Sequence, residues 1–250
     1  MLRVTWLLVV LSAWLPPRAA AEQVTVLCSN GLKAVMLDLI PEFERTTGHR
    51  LVLTFSVAAE LKKRIDNGEP FDVAVLTPPA IDDLIARGMV RGETRAAIAR
   101  SGMALAVRRG RAMPDVRTVD ALTRTLLASR SIAFAREGSG GIFFMALVTR
   151  LNLTAQLTPK FRPVVTGDDV SRTVANGDAE LGILPMSEII SAAGISLAGP
   201  FPADVQEFAM MVGGVSGRAS QPAAAGALLR FLLAPSADAV IQKRGMERPR

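Results

Sequence analysis

Tyrosine is absent from this 250-residue chain, and cysteine and histidine occur once each. A single Cys28 builds no disulfide framework, and at the end of an apolar run it reads as a small core hydrophobe, with a reactive thiol as the alternative. The one histidine, His49, follows Gly48 in a loop and has no metal-ligand spacing with Cys28 or any acidic pair, so it reads as a surface residue and no metal is expected. Aromatic residues make up 5% of the chain, too few for a base-stacking surface, which argues against nucleic acid as a partner. Catalytic signatures are missing too. Gly138-Ser139-Gly140 lacks the full G-x-S-x-G of a nucleophile elbow, and the same glycine-rich stretch has neither the lysine of a P-loop nor a dinucleotide fingerprint. No cofactor is expected, and a non-enzymatic role is favoured over a serine hydrolase.

What is present is a chain half hydrophobic in composition, with 20 Gly and 15 Pro, long enough for a full core and two lobes. Its start reads as a signal peptide. Met1 and Arg3 give a short basic opening, Trp6 to Leu15 an apolar run, and Ala19-Ala20-Ala21 a small-residue cleavage site before Glu22. Export to the periplasm with cleavage near Ala21 is the expectation, and an uncleaved anchor is the alternative. The formal charge is +6, and loss of Arg3 and Arg18 with the leader leaves about +4. That excess is dispersed: Lys62-Lys63-Arg64 is the densest group, and Asp66 and Glu69 beside it make it a solvated face.

The mature chain is organised around Val24 to Phe43. Val24 to Leu27 is a β-branched, apolar run suited to a buried strand, and it stops at Ser29-Asn30-Gly31. Leu32, Val35, Met36, Leu39, Ile40 and Phe43 then recur at steps of three and four, one stripe on a helix that Pro41 should kink and Gly48 should end. A strand that feeds a polar turn at a helix start presents unpaired N–H groups and the positive end of the helix dipole to whatever lies above the strand. The design recurs. Arg50 to Phe55 leads into Ser56-Val57-Ala58, and Phe71 to Leu76 leads into a helix with Thr77 as N-cap and Pro78 at its first position. Strand runs at Met103 to Val107, Ser131 to Ala135, Phe161 to Thr166 and Leu181 to Leu184 continue the alternation, the second entering the glycine-rich Arg136 to Gly141 turn and the third opening a helix at Gly167-Asp168-Asp169. Phe208 to Val212 reads as a strand crossing back, and the chain ends in helices. Strand and helix in alternation imply an α/β fold with parallel strands, and the turns are expected to bring four helix starts, two from each half, around one ligand.

The segments VTVLCSNGLKAVMLDLIPEF, FAREGSGGI, TGDDVSRTVANGDAELGILPMSEI and FLLAPSADAVIQKRGM, in this order and spacing, resemble the molybdate-binding periplasmic proteins of ABC transporters over nearly all of the mature chain. The resemblance implies a type II periplasmic binding protein, with two α/β lobes joined by two crossing strands and a ligand held between them. One lobe would combine residues 22–102 with 205–250, and the other would take 103–204. The chain would work as a monomer that hands a small molecule or oxyanion to an ABC transporter permease, or presents it to a membrane sensor. The ligand loops of the family fall on Ser29, Asn30 and Gly31, on Ser56, Val57 and Ala58, on Ser139 and Gly140, and on Asp169 and Val170, with a family tyrosine position at Pro185. Arg136 would offset the charge of an anion. The departures are specific: Gly31 stands where the family has a serine, the serine pair of the second loop is missing, and no tyrosine exists. Glu60, Glu137, Asp168 and Asp169 lie near these loops, as helix caps or as ligand-facing groups, and if they face the cleft an organic solute with a donor group suits it better than a bare oxyanion.

Overall fold

Three strand-and-helix units open the fold, in a computed structural model that describes residues 22–249. The expected leader lies outside these residues. β1 (Gln23–Ser29), α1 (Lys33–Thr47), β2 (Arg50–Ser56), α2 (Ala58–Asp66), β3 (Val73–Leu76) and α3 (Pro78–Ala86) alternate as the apolar periods require. β1 lies between β2 and β3 and is parallel to both. Gly48 ends α1 in the left-handed region at φ 75°, where a side chain would strain the backbone. The kink expected at Pro41 does not interrupt the helix, which runs on to Thr47. Pro41 and Leu37, one turn earlier, are both exposed, so the missing N–H leaves a carbonyl on the side that water can reach.

β4 (Ala96–Arg108) follows, and at 13 residues it is more than twice the length of the run read around Met103. After it come α4 (Val119–Ala128), β5 (Ile132–Ala135), α5 (Ser139–Arg150), α6 (Thr154–Leu157), β6 (Phe161–Val164), α7 (Gly167–Asn176), β7 (Leu181–Pro185), α8 (Met186–Ser191) and β8 (Ile195–Pro200). β9 (Phe208–Val215), α9 (Pro222–Leu233) and α10 (Asp238–Lys243) complete the order. The sheet runs β2-β1-β3-β9-β4-β7-β5-β6, with β8 also paired to β4.

The length of β4 is what makes two lobes. Ala96 to Gly102 pair with β9, antiparallel, and so belong with β1, β2 and β3. Met103 to Val107 pair with β7, and Ala104 to Arg108 with β8, in the other lobe. The chain returns beside this crossing point. Met103 N donates to Glu207 O at 3.0 Å, and the Gln206 side chain clasps the same residue, its Oε1 accepting from Met103 N at 2.8 Å and its Nε2 donating to Met103 O at 3.1 Å.

Each lobe covers its strands with helices. Leu27, Leu61, Leu76, Ile81 and Leu84 form one cluster with α2 and α3, and Ala106, Ala133, Val170, Val174 and Leu184 form another beneath α7. The largest cluster joins α1 and α9 to the opposite sheet face and carries on into the second lobe through Phe134, Phe143 and Phe144. Among the described residues no single helix is long and apolar enough to cross a membrane. His49 is half-buried rather than on the surface, because its ring packs against Phe43 with centroids 6.4 Å apart.

Candidate functional site

The strand ends and helix starts of both lobes meet around a cavity of about 370 Å³. From the first lobe come Ser29 and Asn30 after β1, Val57 and Ala58 at the start of α2, and Thr77, Pro79 and Ala80 at the start of α3. From the second come Glu137 to Ile142 at the start of α5, Gly167 at the start of α7, and Leu184, Pro185 and Glu188 around the start of α8. Four of these helices, α2, α3, α5 and α8, have no side chain capping their N-termini. Thr77 sits at the N-cap of α3, but its hydroxyl makes no capping bond. First-turn amides without side-chain caps are donors available to an anionic or polar group in the cavity.

Of the residues singled out in the sequence, Ser29, Asn30, Val57, Ala58, Ser139, Gly140 and Pro185 line this cavity. Gly31, Ser56, Arg136, Asp169 and Val170 do not. Gly31 is turned toward the protein: its carbonyl accepts from Ser187 Oγ at 3.1 Å, and a Cβ there would lie 3.0 Å from Met211 Cε. Ser56 ends β2 as the register partner of Ser29. Arg136 is exposed and its backbone N–H extends the β5–β6 ladder to Val164. Val170 is fully buried on the core-facing side of α7. Asp169 closes a capping box with Thr166, accepting from its backbone N at 2.9 Å and its hydroxyl at 2.7 Å, and these bonds, led by the hydroxyl, hold its carboxyl below the usual range.

The glycine-rich turn is also placed differently from the expected loop. Ser139, Gly140 and Gly141 already form the first turn of α5. A Cβ on Gly141 would lie 1.9 Å from Ala135 O, so the helix start lies directly on the end of β5. Glycine here serves close packing of helix on strand.

Charge around the cavity is mixed. Lys62 and Asp83 both line it, but Lys62 Nζ sits 2.8 Å from Asp83 and 2.8 Å from Asp66, and its ammonium is held charged by Asp66 first and Asp83 second. Glu137 adds a carboxylate. Asp168 lies to one side, ion-paired to Lys33 of α1 at 2.8 Å, and does not line the cavity. Sequence reasoning missed Glu188. It projects from the first turn of α8 into the wall shared by the main cavity and a neighbouring one beside Lys33 and Asp168. Burial first, and then the Asp168 charge, push its carboxyl up to about 7, against a smaller opposing effect of Lys33. The available signal was a lone Glu two residues into a short helix after a buried strand, a position where acid residues commonly serve the helix dipole. Thr77 and Ile142 were missed as well. Ile142 is 61% exposed and supplies an apolar surface at the cavity edge.

Comparison with known proteins fits this architecture. The family model for bacterial extracellular solute-binding proteins matches residues 24–247. The chain is 30% identical to an aconitate isomerase from Pseudomonas sp, over 92% of this chain and 91% of that protein. It is 26% identical to the molybdate-binding protein ModA of Azotobacter vinelandii, over 91% and 90%. Among solved structures, the periplasmic molybdate-binding protein of Azotobacter vinelandii superposes with a TM-score of 0.79 at 21% identity, covering 91% of this chain and 100% of that one. The resemblance drawn from the sequence therefore holds at the level of family and fold, and the chain belongs to the bacterial extracellular solute-binding protein family.

Proposed function

We propose that this protein is the periplasmic binding component of an ABC uptake system and that its cleft captures a small organic anion, which it hands to the permease as a monomer. The observation that carries this reading is the composition of the cavity wall. Uncapped helix starts offer N–H donors for carboxylate oxygens, while Ile142, Val57, Ala58, Pro79 and Leu184 offer apolar contact for a carbon skeleton. A volume of about 370 Å³ falls in the range of organic ligand pockets, about 300–1,000 Å³. A tetrahedral oxyanion such as molybdate has no carbon to place against these side chains. We place the lobe boundaries at residues 102/103 and 204/205, on either side of the Met103–Gln206 clasp.

A thermal-shift screen of molybdate, tungstate, sulfate, phosphate, succinate, citrate and trans-aconitate tests the reading. A ligand at a hundred times its dissociation constant adds about 2.7 kcal/mol of stability. Organic acids should raise the melting temperature and the inorganic anions should not. A response to molybdate alone would reject the organic ligand.

The relative that is 30% identical supports a second reading, in which the bound acid is also isomerised. Moving the double bond of an aconitate breaks one C–H bond at the methylene carbon and forms one at the far alkene carbon. One carboxyl that takes the proton and returns it balances this change, and Glu188 is the carboxyl of the cleft suited to that exchange. Proton NMR of cis-aconitate with the protein, against a Glu188→Gln control, decides it: conversion that the variant lacks supports isomerisation, and no conversion leaves a binding protein.

A further inference from the structure

Among the described residues, Glu137 and Glu188 are the ionisable groups of the cavity wall that lack an ion-pair partner, and of these two Glu137 is exposed while Glu188 is partly buried. Lys62 and Asp83 neutralise one another, Asp168 is paired with Lys33, and Asp38 behind the neighbouring cavity is paired with Arg244 at 2.6 Å. Glu188, partly buried, receives no hydrogen bond that would hold its carboxylate form among the described residues. Its surroundings are set by backbone. The α-carbon of Gly167 lies so close that a Cβ there would be 1.7 Å from Oε2, so in this arrangement the carboxyl occupies the space that a side chain at 167 would take. The charged neighbours on the elements around it are Asp168 of α7 and Lys33 of α1, with Glu137 across the cavity. At Glu188 the Asp168 charge outweighs that of Lys33, which is itself paired to Asp168, so no cation is left to favour ionised Glu188.

We infer that Glu188 reads the ligand as a proton-bearing donor, so that an organic anion enters the cleft together with one proton. A carboxylate ligand beside ionised Glu188 would place two like charges in a cleft of reduced dielectric. With the proton on Glu188 the same pair becomes an O–H···O⁻ hydrogen bond, a strong class of bond. This rests on the organic-anion reading above and adds its regulation: capture tightens as the compartment acidifies. Above about pH 7 each further pH unit should weaken binding about tenfold, over a range where ordinary carboxylic acid ligands are already ionised.

The test is isothermal titration of trans-aconitate into the wild-type protein at pH 8, in two buffers of different ionisation enthalpy, with dissociation constants followed from pH 6 to 9. The expected result is uptake of about one proton per ligand bound, and an affinity that falls across the range. Glu188→Gln, which keeps a neutral donor, should bind with no proton uptake and a flat profile, at an affinity near that of the wild type at low pH. Asp168→Asn should move the wild-type profile to lower pH. Binding without proton uptake by the wild type, or the same uptake by Glu188→Gln, would overturn the inference while leaving the organic-anion reading intact. Absence of binding by trans-aconitate, citrate and succinate alike would overturn both.

Discussion

Lys33 Nζ and the Asp168 carboxylate meet at 2.8 Å, joining α1 of one lobe to α7 of the other beside the candidate cleft. Both side chains are substantially solvated, at 36% and 58% exposure, so water and salt compete for them. Such a pair contributes about 0.2–1 kcal/mol. A double-mutant cycle with Lys33→Ala and Asp168→Ala should give a coupling energy within that range, falling further in 1 M salt, where screening acts over about 3 Å. A coupling above 2 kcal/mol at high salt would mean that the bridge is a rigid fastening between the lobes, which its exposure does not support.

Glu188 makes stability depend on pH, with a definite sign. Its carboxyl rises from the ordinary 4.5 to about 7 in the folded chain. Between these values the folded state holds a proton that the unfolded state has released, so stability declines as pH climbs through the window. The full shift corresponds to about 3 kcal/mol, and partial solvation of the group lowers that. Glu188→Gln should therefore be more stable than wild type at pH 8 by about 1–3 kcal/mol and equal to it near pH 4. Chemical denaturation at the two pH values checks this, and an equal difference at both would show that ionisation of Glu188 is not the cause.

Cys28 should be inert in the folded protein. It is fully buried at the end of β1, and burial pushes its thiol well above the normal range, so thiolate is scarce at neutral pH. An aromatic disulfide reagent should release no chromophore from native protein and one equivalent after denaturation. Rapid labelling of the native state would show that the start of α1 opens.

How much of this was legible in the sequence depends on the kind of signal. Leu32, Val35, Met36, Leu39 and Phe43 declared themselves by period, because burial of one face leaves a repeat in the letters, and all five are in the core. Turns after apolar runs marked Ser29, Asn30, Val57, Ala58 and Ser139, which do line the cavity. Side-chain direction was not legible. Arg136 follows the same strand as the cavity residues Gly138 and Ser139, yet its side chain is exposed outside the cavity. Asp168 and Asp169 are adjacent and equally suited by type to cap α7, yet it is Asp169 that closes the capping box. The length of β4 was hidden as well. Arg100 and Ser101 interrupt its apolar run, and Ser101 is buried because its hydroxyl donates to Gly245 O at 3.1 Å and accepts from Ser187 N at 3.0 Å. For Glu188 the sequence offered only its place in the first turn of a short helix, since the environment that matters comes from α1 and α7, distant in sequence.

The placement of Arg136 reverses an expectation. A guanidinium in the cleft would make Arg136→Ala weaken anion binding. With the side chain outside the cavity, the variant should bind organic acids within about twofold of wild type, a difference below 0.5 kcal/mol. Titration calorimetry reads this directly, and a tenfold loss would place Arg136 at the ligand after all.

The central claim is that a cleft of helix starts and apolar side chains holds a small organic anion in preference to a tetrahedral oxyanion. Titration of trans-aconitate and of molybdate into separate portions of one protein sample at pH 6.5 tests it most directly. The account predicts saturable one-to-one heat with the acid and none with molybdate. Saturation by molybdate, with no heat from the acid, would contradict it.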